Sequence, residues 1–331
     1  MTERVFARQI QGDLWQWRLL KNHGEWASDA WDTGDDEALK ETMPTSTPVL
    51  VMLNGQAIIS SNAEMEEKDK RHIAKLLPYE MEEQLIDAVE DLHFSYGDIV
   101  DGNVSVLYGR DAVIQEPVDS LTNLGCDVFH ALPDYLMLTL PEGGGATLVM
   151  DSGIVYIRLG PTVGLSVDAA MAPQVISRID AEYDIGARIH LVAENDEEIS
   201  KLHSWLPKHW VDDGGPEVVA SRALFWDMVD TSLSSEFLNM RRGKFSRRLP
   251  INNWINIWKI PGIFLGVAFV LALAVQFSSY LTAKSEVTSI RKEINAVYKD
   301  AVPNVALVTQ KALCVLLLEV SIQTQTSQLT S

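Results

Sequence analysis

The chain has 331 residues, enough for about two domains, since most domains hold roughly 100–200 residues. Hydrophobic residues make up 47% of the chain and charged residues 22%, a balance that excludes an intrinsically disordered protein. The formal net charge is −19, from 27 basic and 46 acidic residues. This acidity argues against nucleic acid as a partner, because phosphate binding needs clustered lysine and arginine.

The charge is divided unevenly along the chain. Residues 241–331 hold 11 Lys/Arg and 4 Asp/Glu, a net charge of +7, which leaves 16 and 42, or −26, for residues 1–240. Two cysteines, Cys126 and Cys314, are too few for a disulfide framework, and neither lies in a Cys/His cluster with zinc spacing. Cys126 is expected to be an ordinary buried thiol. We therefore expect no metal and no cofactor, and residues 1–10 lack the apolar run of a signal peptide.

The first half of the chain alternates short strands with helices. Strands are predicted at 5–10, 14–20 and 25–31, an acidic helical turn or loop at 35–41, and a buried strand at 48–53. The dipeptide Asn54-Gly55 is a strong hairpin signal. An amphipathic helix is predicted over 64–77, and Pro78 breaks it or restarts it as the first residue of a new helix. Strands at 92–96 and 104–108, a helix at 112–124 and a strand at 128–132 follow.

The second half begins the same order again. Strands are predicted at 146–150, 154–159, 163–167 and 188–192, and helices at 171–183, 197–206 and 218–240. The order strand-strand-strand-helix-strand therefore occurs twice, as an approximate internal repeat without visible sequence identity. Mixed sheets with helices packed on them are the expected result.

Motifs of catalysis are missing, so we predict no catalytic residues. The sequence has no GxxxxGK[ST] loop, no HExxH pair and no GxSxG elbow. The Asp151-Ser152-Gly153 turn invites comparison with the phosphate-binding hairpins of sugar kinases and actin-like ATPases. Gln11-Gly12-Asp13 in the first repeat supplies neither the matching order nor the hydroxyls, which favours a plain turn. His93, in a predicted strand, is expected to be a core or edge histidine.

A membrane-spanning helix is predicted at 260–281. Residues 260–283 contain no charged side chain, and they extend for roughly 36 Å as a helix. Trp258 and Tyr280 suit the two membrane interfaces. Two pairs of small residues, Gly262 with Gly266 and Ala268 with Ala272, allow close approach of another helix.

Basic residues flank this helix more densely on its N-terminal side, and the cluster there comprises Arg241, Arg242, Lys244, Arg247 and Arg248. The positive-inside rule then predicts a single-pass protein with a cytoplasmic N-terminus and the C-terminus on the far side. The cluster suits the lipid headgroups of the cytoplasmic leaflet.

Three segments carry a resemblance to a known family. Residues 74–85 read Ala-Lys-Leu-Leu-Pro-Tyr-Glu-Met-Glu-Glu-Gln-Leu, residues 89–94 read Val-Glu-Asp-Leu-His-Phe, and residues 239–245 read Asn-Met-Arg-Arg-Gly-Lys-Phe. They resemble the type II secretion inner-membrane protein L family (GspL), and Leu132-Pro-Asp is similar to a later segment of that family. The residues that mark the family, and that either dock a partner or hold the fold, are Leu77, Pro78, Tyr79, Glu82, Glu83, Leu85, Leu92, His93 and Phe94.

The resemblance implies a fold, a function and partners. It implies an α/β cytoplasmic domain of actin-like, duplicated RNase H-like fold, in a non-enzymatic scaffold at the bacterial inner membrane. This scaffold recruits the cytoplasmic secretion ATPase GspE and links it to the pseudopilus assembly platform, for protein export. Further implied partners are GspM and GspF-type inner-membrane components, a second copy of the chain and the lipid bilayer. The alternatives are an assembly-platform protein of type IV pili and a membrane-anchored actin-like ATPase or kinase.

The predicted organisation is a cytoplasmic domain at 1–240, a basic juxtamembrane segment at 241–259, the membrane helix at 260–281, and a periplasmic tail at 282–331. Val287, Ile290, Ile294 and Val297 have coiled-coil spacing, which predicts that the helix continues into the tail. The family resemblance implies a ferredoxin-like periplasmic domain after Pro303. Only 28 residues remain there, so we expect a tail that lacks most of that domain, from a truncated or frame-shifted terminus, and that ends disordered.

Overall fold

The structure is a computed structural model, which describes residues 3–43, 47–183, 185–212, 214–232, 238–246 and 251–301. Arg247, Arg248 and the end of the tail that is predicted to be disordered lie outside these ranges. The chain divides into two compact units, Met1–Arg247 and Arg248–Ser331.

The first unit begins with strands β1 (Arg4–Gln11), β2 (Leu14–Leu20) and β3 (Asp32–Gly34), helix α1 (Asp36–Thr42) and strand β4 (Pro48–Leu53). Strand β5 (Ile58–Glu64), helix α2 (Ile73–Met81) and strands β6 (Leu92–Val100) and β7 (Asn103–Arg110) follow. Helix α3 (Asp111–Asn123) and strand β8 (Asp127–Pro133) close this half.

The second half of the unit contains strands β9 (Gly145–Asp151), β10 (Ile154–Arg158) and β11 (Gly164–Asp168), then helix α4 (Ala172–Glu182) and strand β12 (Arg188–Ala193). Helices α5 (Asp196–Trp205) and α6 (Lys208–Val211) precede strand β13 (Glu217–Arg222). Nearly all predicted strands of this half are found within a residue or two of their predicted limits.

Two five-stranded sheets share one topology. Their strand orders are β3-β2-β1-β4-β8 and β11-β10-β9-β12-β13, and in both the first three strands are antiparallel while the last two run parallel to the first. A third sheet, β5-β7-β6, is inserted between the fourth and fifth strands of the first repeat. The internal repeat is thus confirmed, and the buried hydrophobic side chains form three clusters, the first of which also includes Val149, Tyr156 and Val192 of the second five-stranded sheet.

The third strand lies later than predicted, because residues near 28 are held as a loop. The buried guanidinium of Arg18 donates to the carbonyls of Ser28 at 2.9 Å and Asp29 at 3.1 Å. These two carbonyls therefore accept hydrogen bonds from the Arg18 side chain and not from the backbone of a neighbouring strand. Only Trp26 forms an isolated bridge, to Leu20, before β3 begins at Asp32.

The hairpin predicted at Asn54-Gly55 is wrong. Strand β4 pairs in parallel with β1 and β8, and the chain leaves it for the inserted sheet. The Asn54 side chain accepts a hydrogen bond from Gln56 N, which caps a 3-10 turn over Gly55–Ala57. Gly55 is needed here because a Cβ would lie 2.5 Å from the Tyr135 ring and 2.6 Å from Ser166 Oγ.

Two predicted helices are also wrong. In the stretch 64–77, Glu64 is the last residue of β5 and the helix α2 begins only at Ile73. Pro78 lies inside α2 and does not start a new helix. The second is 218–240, where residues 217–222 form β13 in continuous parallel register with β12. The conformation of residues 217–222 is set by their pairing with β12 and not by their local helical pattern.

The second unit contains helix α7 (Ile251–Ala301), a continuous helix of 51 residues that includes the predicted span. Its segment Phe264–Val297 contains an 18-residue window with a mean hydropathy of 1.9, and the helix is long and apolar enough to cross a membrane. Side chains from Phe264 to Val297 are exposed in the single chain, the predicted coiled-coil positions among them. The backbone of α7 thus continues past the predicted span into the predicted tail, as far as Ala301.

Candidate functional site

Helix α2 divides the first family segment into a buried and an exposed face. Leu77 and Met81 are fully buried against the inserted sheet, and Pro78 is half-buried. The Tyr79 side chain is 70% exposed, on the opposite side of the helix. Leu77 therefore holds α2 on the sheet, whereas Tyr79 is available to a partner.

The loop after α2 is held by an ion pair and presents an apolar side chain to solvent. Arg110 Nε and Nη2 donate to Asp87 at 2.9 and 2.6 Å, and this pairing lowers the pKa of the Asp87 carboxyl. Glu82 and Glu83 are exposed and Leu85 is half-buried. Ile86, which directly precedes the paired aspartate, is 99% exposed.

A groove of about 430 Å³, here called the loop groove, lies beside this loop. It is bounded by the start of β5, the loop, the end of β7 and the first turn of α3. Its lining residues are Gln56, Ala57, Ile59, Gln84, Ile86, Asp87, Leu92, Tyr108, Gly109, Arg110 and Val113. Two of the lining residues, Gln84 and Leu92, lie in the family segments. The others were not singled out by the sequence pattern.

His93 connects the second family segment to the third. Its Nε2–H donates to the carbonyl of Met240 at 2.8 Å, and its ring packs edge-on to Phe245 with centroids 4.9 Å apart. Burial lowers the pKa of His93, so the neutral ring is favoured. The prediction of a core or edge histidine is confirmed: His93 holds two distant segments together. Beside it, Phe94 stacks on Tyr108 with centroids 5.8 Å apart.

Residues 239–245, here called the exit strap, join the first and third sheets. Asn239 Oδ1 accepts from Ala131 N at 3.0 Å and Met240 N donates to the Ala131 carbonyl at 2.8 Å, which covers the free edge of β8. On the other side, Ser95 Oγ of β6 donates to the Asn239 carbonyl at 2.9 Å. The third family segment is therefore built into the first unit.

Three of the basic residues predicted to face lipid make contacts inside this unit. Arg241 donates to the carbonyls of Val128 and Phe245, and Arg242 Nη1 donates to the Tyr96 carbonyl at 2.6 Å. Lys244 pairs with Asp111 of α3. These contacts hold the exit strap on the first unit. A lipid-facing role for the basic cluster stays a prediction.

The turns that open the two repeats are joined by an ion pair. Arg8 Nη2 of β1 lies 2.9 Å from Asp151 Oδ2 at the end of β9, and Nη1 donates to Tyr156 Oη at 3.3 Å. The same guanidinium lies over the Phe225 ring, 4.3 Å from its centroid. The acid of the Asp151-Ser152-Gly153 turn is thus engaged by an arginine of the other repeat. Within the described residues, no group of three His, Cys, Asp or Glu is placed to hold a metal ion.

Asp134, in the Leu132-Pro-Asp segment, is a buried acid that sequence reasoning did not select. Its Oδ1 accepts from Ser166 Oγ at 2.6 Å and from Tyr135 N at 2.7 Å, and burial raises its pKa to about 6. These bonds join the turn after β8 to β11 of the second repeat. Burial also raises the pKa of the half-buried Cys126 thiol to about 11, which leaves it unreactive at neutral pH.

The duplicated five-stranded sheets, with one helix of membrane-spanning length, define a membrane-anchored protein of actin-like fold. A family model described as "Type II secretion system (T2SS), protein L" matches residues 12–246, and the chain belongs to this family. It is an inner-membrane component of the type II secretion system. The family resemblance in the motifs is therefore confirmed, which favours this system over the type IV pilus alternative.

A protein of Vibrio cholerae, type II secretion system protein L, is 23% identical over 279 residues, which are 80% of this chain and 62% of that protein. The chain thus spans about three fifths of the length of this relative. Among solved structures, the cytoplasmic domain of EpsL, an inner-membrane component of the type II secretion system of Vibrio cholerae, is 21% identical with a TM-score of 0.57. The match covers 74% of this chain and 100% of the EpsL domain, and this likeness confirms the fold. A PilM–PilN type IV pilus biogenesis complex has a TM-score of 0.49 at 10% identity, covering 72% and 95%.

Proposed function

We propose that this chain is a non-enzymatic scaffold that recruits the cytoplasmic secretion ATPase GspE to the inner membrane and links it to the pseudopilus assembly platform. One observation carries this proposal. Tyr79 in the first family segment and Ile86, which directly follows that segment, are 70% and 99% exposed, whereas Leu77 is fully buried. A large apolar side chain that packs on nothing within its own unit is typical of a protein-binding surface.

The exit strap supports the linking part of the proposal. It is fixed to β8 through Asn239 and Met240 and to β6 through His93 and Ser95. The chain that leads to α7 therefore leaves the first unit from a fastened point, next to the inserted sheet on which α2 packs. A partner bound to that sheet would be tied to the membrane helix through these hydrogen bonds.

The absence of catalysis is part of the same proposal. Arg8 engages Asp151 and lies against Phe225, so the acid of the second opening turn is paired with a side chain of the protein itself. In the rival function, a membrane-anchored ATPase or kinase, this aspartate would serve metal and phosphate. A titration with ATP and Mg²⁺ discriminates the two functions, since micromolar affinity would support the rival.

The membrane orientation is also proposed. A charge of −26 for residues 1–240 and +7 for residues 241–331, with the denser basic cluster before α7, favours a cytoplasmic first unit and a periplasmic C-terminus. GspM, GspF-type components and a second copy of the chain are the proposed partners at the membrane. With Cys126 and Cys314 replaced by serine, single cysteines introduced at Val100 or beyond Ala301 are labelled with a membrane-impermeant reagent in intact cells. Labelling only beyond Ala301 would support the proposed orientation.

Co-purification tests the recruitment directly. The full chain, tagged and extracted in mild detergent, is expected to retain the secretion ATPase of its own bacterium after washing. An ATPase that washes off as completely as from an untagged control would contradict the proposal.

A further inference from the structure

The loop groove is lined by apolar side chains, one of which, Ile86, is almost fully exposed to solvent. Ile59 of β5 is 49% exposed and Ile86 is 99% exposed, and both line the groove with Leu92, Tyr108 and Val113. Three of these residues come from strands of the inserted sheet, and Val113 comes from α3. The floor is thus built on regular elements, and the Asp87–Arg110 ion pair fixes the loop that carries Ile86. A preformed apolar groove of this kind suits a few side chains of an incoming segment.

Acidic side chains outnumber basic ones around the groove. Residues 76–109 contain no lysine or arginine. Of the eight acidic residues in this stretch, Glu80 and Asp101 line a different pocket and Asp98 pairs with Lys70, whereas Asp87 lines the groove. Glu83 adjoins the lining residue Gln84, Asp91 adjoins the lining residue Leu92, and both acids are exposed. The one basic residue at the groove, Arg110, is already paired with Asp87, so the local field is negative.

We infer that the loop groove binds a short basic segment of a protein partner, with apolar side chains against Ile59 and Ile86 and lysine or arginine against the acidic rim. A negative rim disfavours phosphate-bearing ligands and acidic membranes, and an apolar floor disfavours free cations. A basic segment with apolar anchors satisfies both features. The inference rests on the proposed function, because it locates the surface on which the recruited ATPase docks.

The experiment measures the affinity of the secretion ATPase for the full chain in nanodiscs, with wild type and single variants. Ile86→Asp and Ile59→Asp each place a charge on the groove floor, and both are expected to weaken binding at least about tenfold. Val100→Asp is the matched control, because Val100 is a 64% exposed strand residue of the inserted sheet that does not line the groove. The control is expected to bind as wild type does, and thermal unfolding checks that all variants are folded.

The basic character of the partner has its own measurement. The double variant Glu83→Gln/Asp91→Asn removes two rim charges and leaves the floor intact. Its affinity is expected to fall at low salt and to depend less on salt concentration than that of wild type. An unchanged salt dependence would overturn the assignment of a basic partner segment.

The outcomes separate the two proposals. If wild type binds the ATPase and both floor variants bind equally well, the loop groove is not the docking site and recruitment stands. If wild type does not bind, recruitment fails and the inference fails with it. Equal weakening by Val100→Asp would also overturn the inference, since the effect would not be specific to the groove.

Discussion

His93 and Met240 are separated by 147 residues in the sequence, yet the ring of one donates a 2.8 Å hydrogen bond to the carbonyl of the other. Each belongs to a different family segment, and Phe245 of the exit strap packs on the same ring. His93 therefore fastens the exit strap, which precedes the membrane helix in sequence, to the inserted sheet that lines the loop groove.

Replacing His93 by glutamine is expected to destabilise the first unit by about 2 kcal/mol, because the aromatic contact and the well-placed donor are both lost. Burial lowers the pKa of His93 in the folded state. Stability from its neutral form is therefore present above the ordinary histidine pKa of about 6.5 and is lost as the pH falls below it. Urea unfolding of residues 1–247 at pH 7.5 and 5.5 measures both effects, with exposed His203→Gln as the control. Equal pH dependence in wild type and His93→Gln would contradict the assignment.

Asn239 is expected to protect one particular amide of β8. In Asn239→Ala the Ala131 N–H loses its acceptor, which lies at 3.0 Å, at a cost of about 2 kcal/mol. Hydrogen exchange at Ala131 should then accelerate by more than about tenfold, since 1.4 kcal/mol corresponds to a factor of ten. Amides in the second five-stranded sheet serve as the internal control. Unchanged exchange at Ala131 would show that the strap does not cover this edge.

Gly55→Ala is expected to cost about 3 kcal/mol, since its Cβ would lie 2.5 Å from the Tyr135 ring and 2.6 Å from Ser166 Oγ. Gly125→Ala is the matched control: nothing lies within 4 Å of its Cβ, and its positive φ of 88° adds only backbone strain. Thermal unfolding of the two variants compares the crowded glycine with the open one. A smaller loss for Gly55→Ala than for Gly125→Ala would contradict the close approach.

These glycines show where sequence reasoning works and where it stops. The strands of both repeats were predictable because β-branched runs and polar turns are local signals, as for β9 and β10 around Asp151-Ser152-Gly153. Asn54-Gly55 also carries a local signal, but neighbours from two other elements decide its conformation. Strand β13 was missed for the same reason, since β12 supplies its pairing.

The candidate site divides in the same way. The family segments located the loop beside the groove, and the resemblance marked nine residues, among them Tyr79, Glu82 and Glu83, as possible docking residues. Sequence alone did not separate buried Leu77 from exposed Ile86, and it did not show that His93 meets Met240. Contacts over such separations depend on the packing of three sheets, which has no local signature. The basic cluster was a clear charge signal, but the part of it that is described contacts the protein itself.

Asp134→Asn is expected to change the pH dependence of stability in the opposite direction to His93→Gln. Burial raises the pKa of Asp134 to about 6 from an ordinary value near 3.8. Its contribution is therefore fully present below pH 3.8 and is lost as the pH rises through about 6. Asparagine keeps an acceptor for Ser166 and Tyr135 without the buried charge. Relative to wild type, the variant should gain about 2 kcal/mol between pH 4.5 and 7.5. Urea unfolding at the two pH values measures this gain, and exposed Asp13→Asn should show none.

Vesicle flotation with the purified secretion ATPase tests the central claim most directly. The full chain is reconstituted into vesicles with its first unit outward, and the ATPase is added before centrifugation through a density gradient. We predict that the ATPase floats with vesicles that contain wild-type chain and stays at the bottom with protein-free vesicles. An ATPase that stays at the bottom in both samples, with folded and correctly oriented chain present, would contradict the account of this protein as a recruiting scaffold.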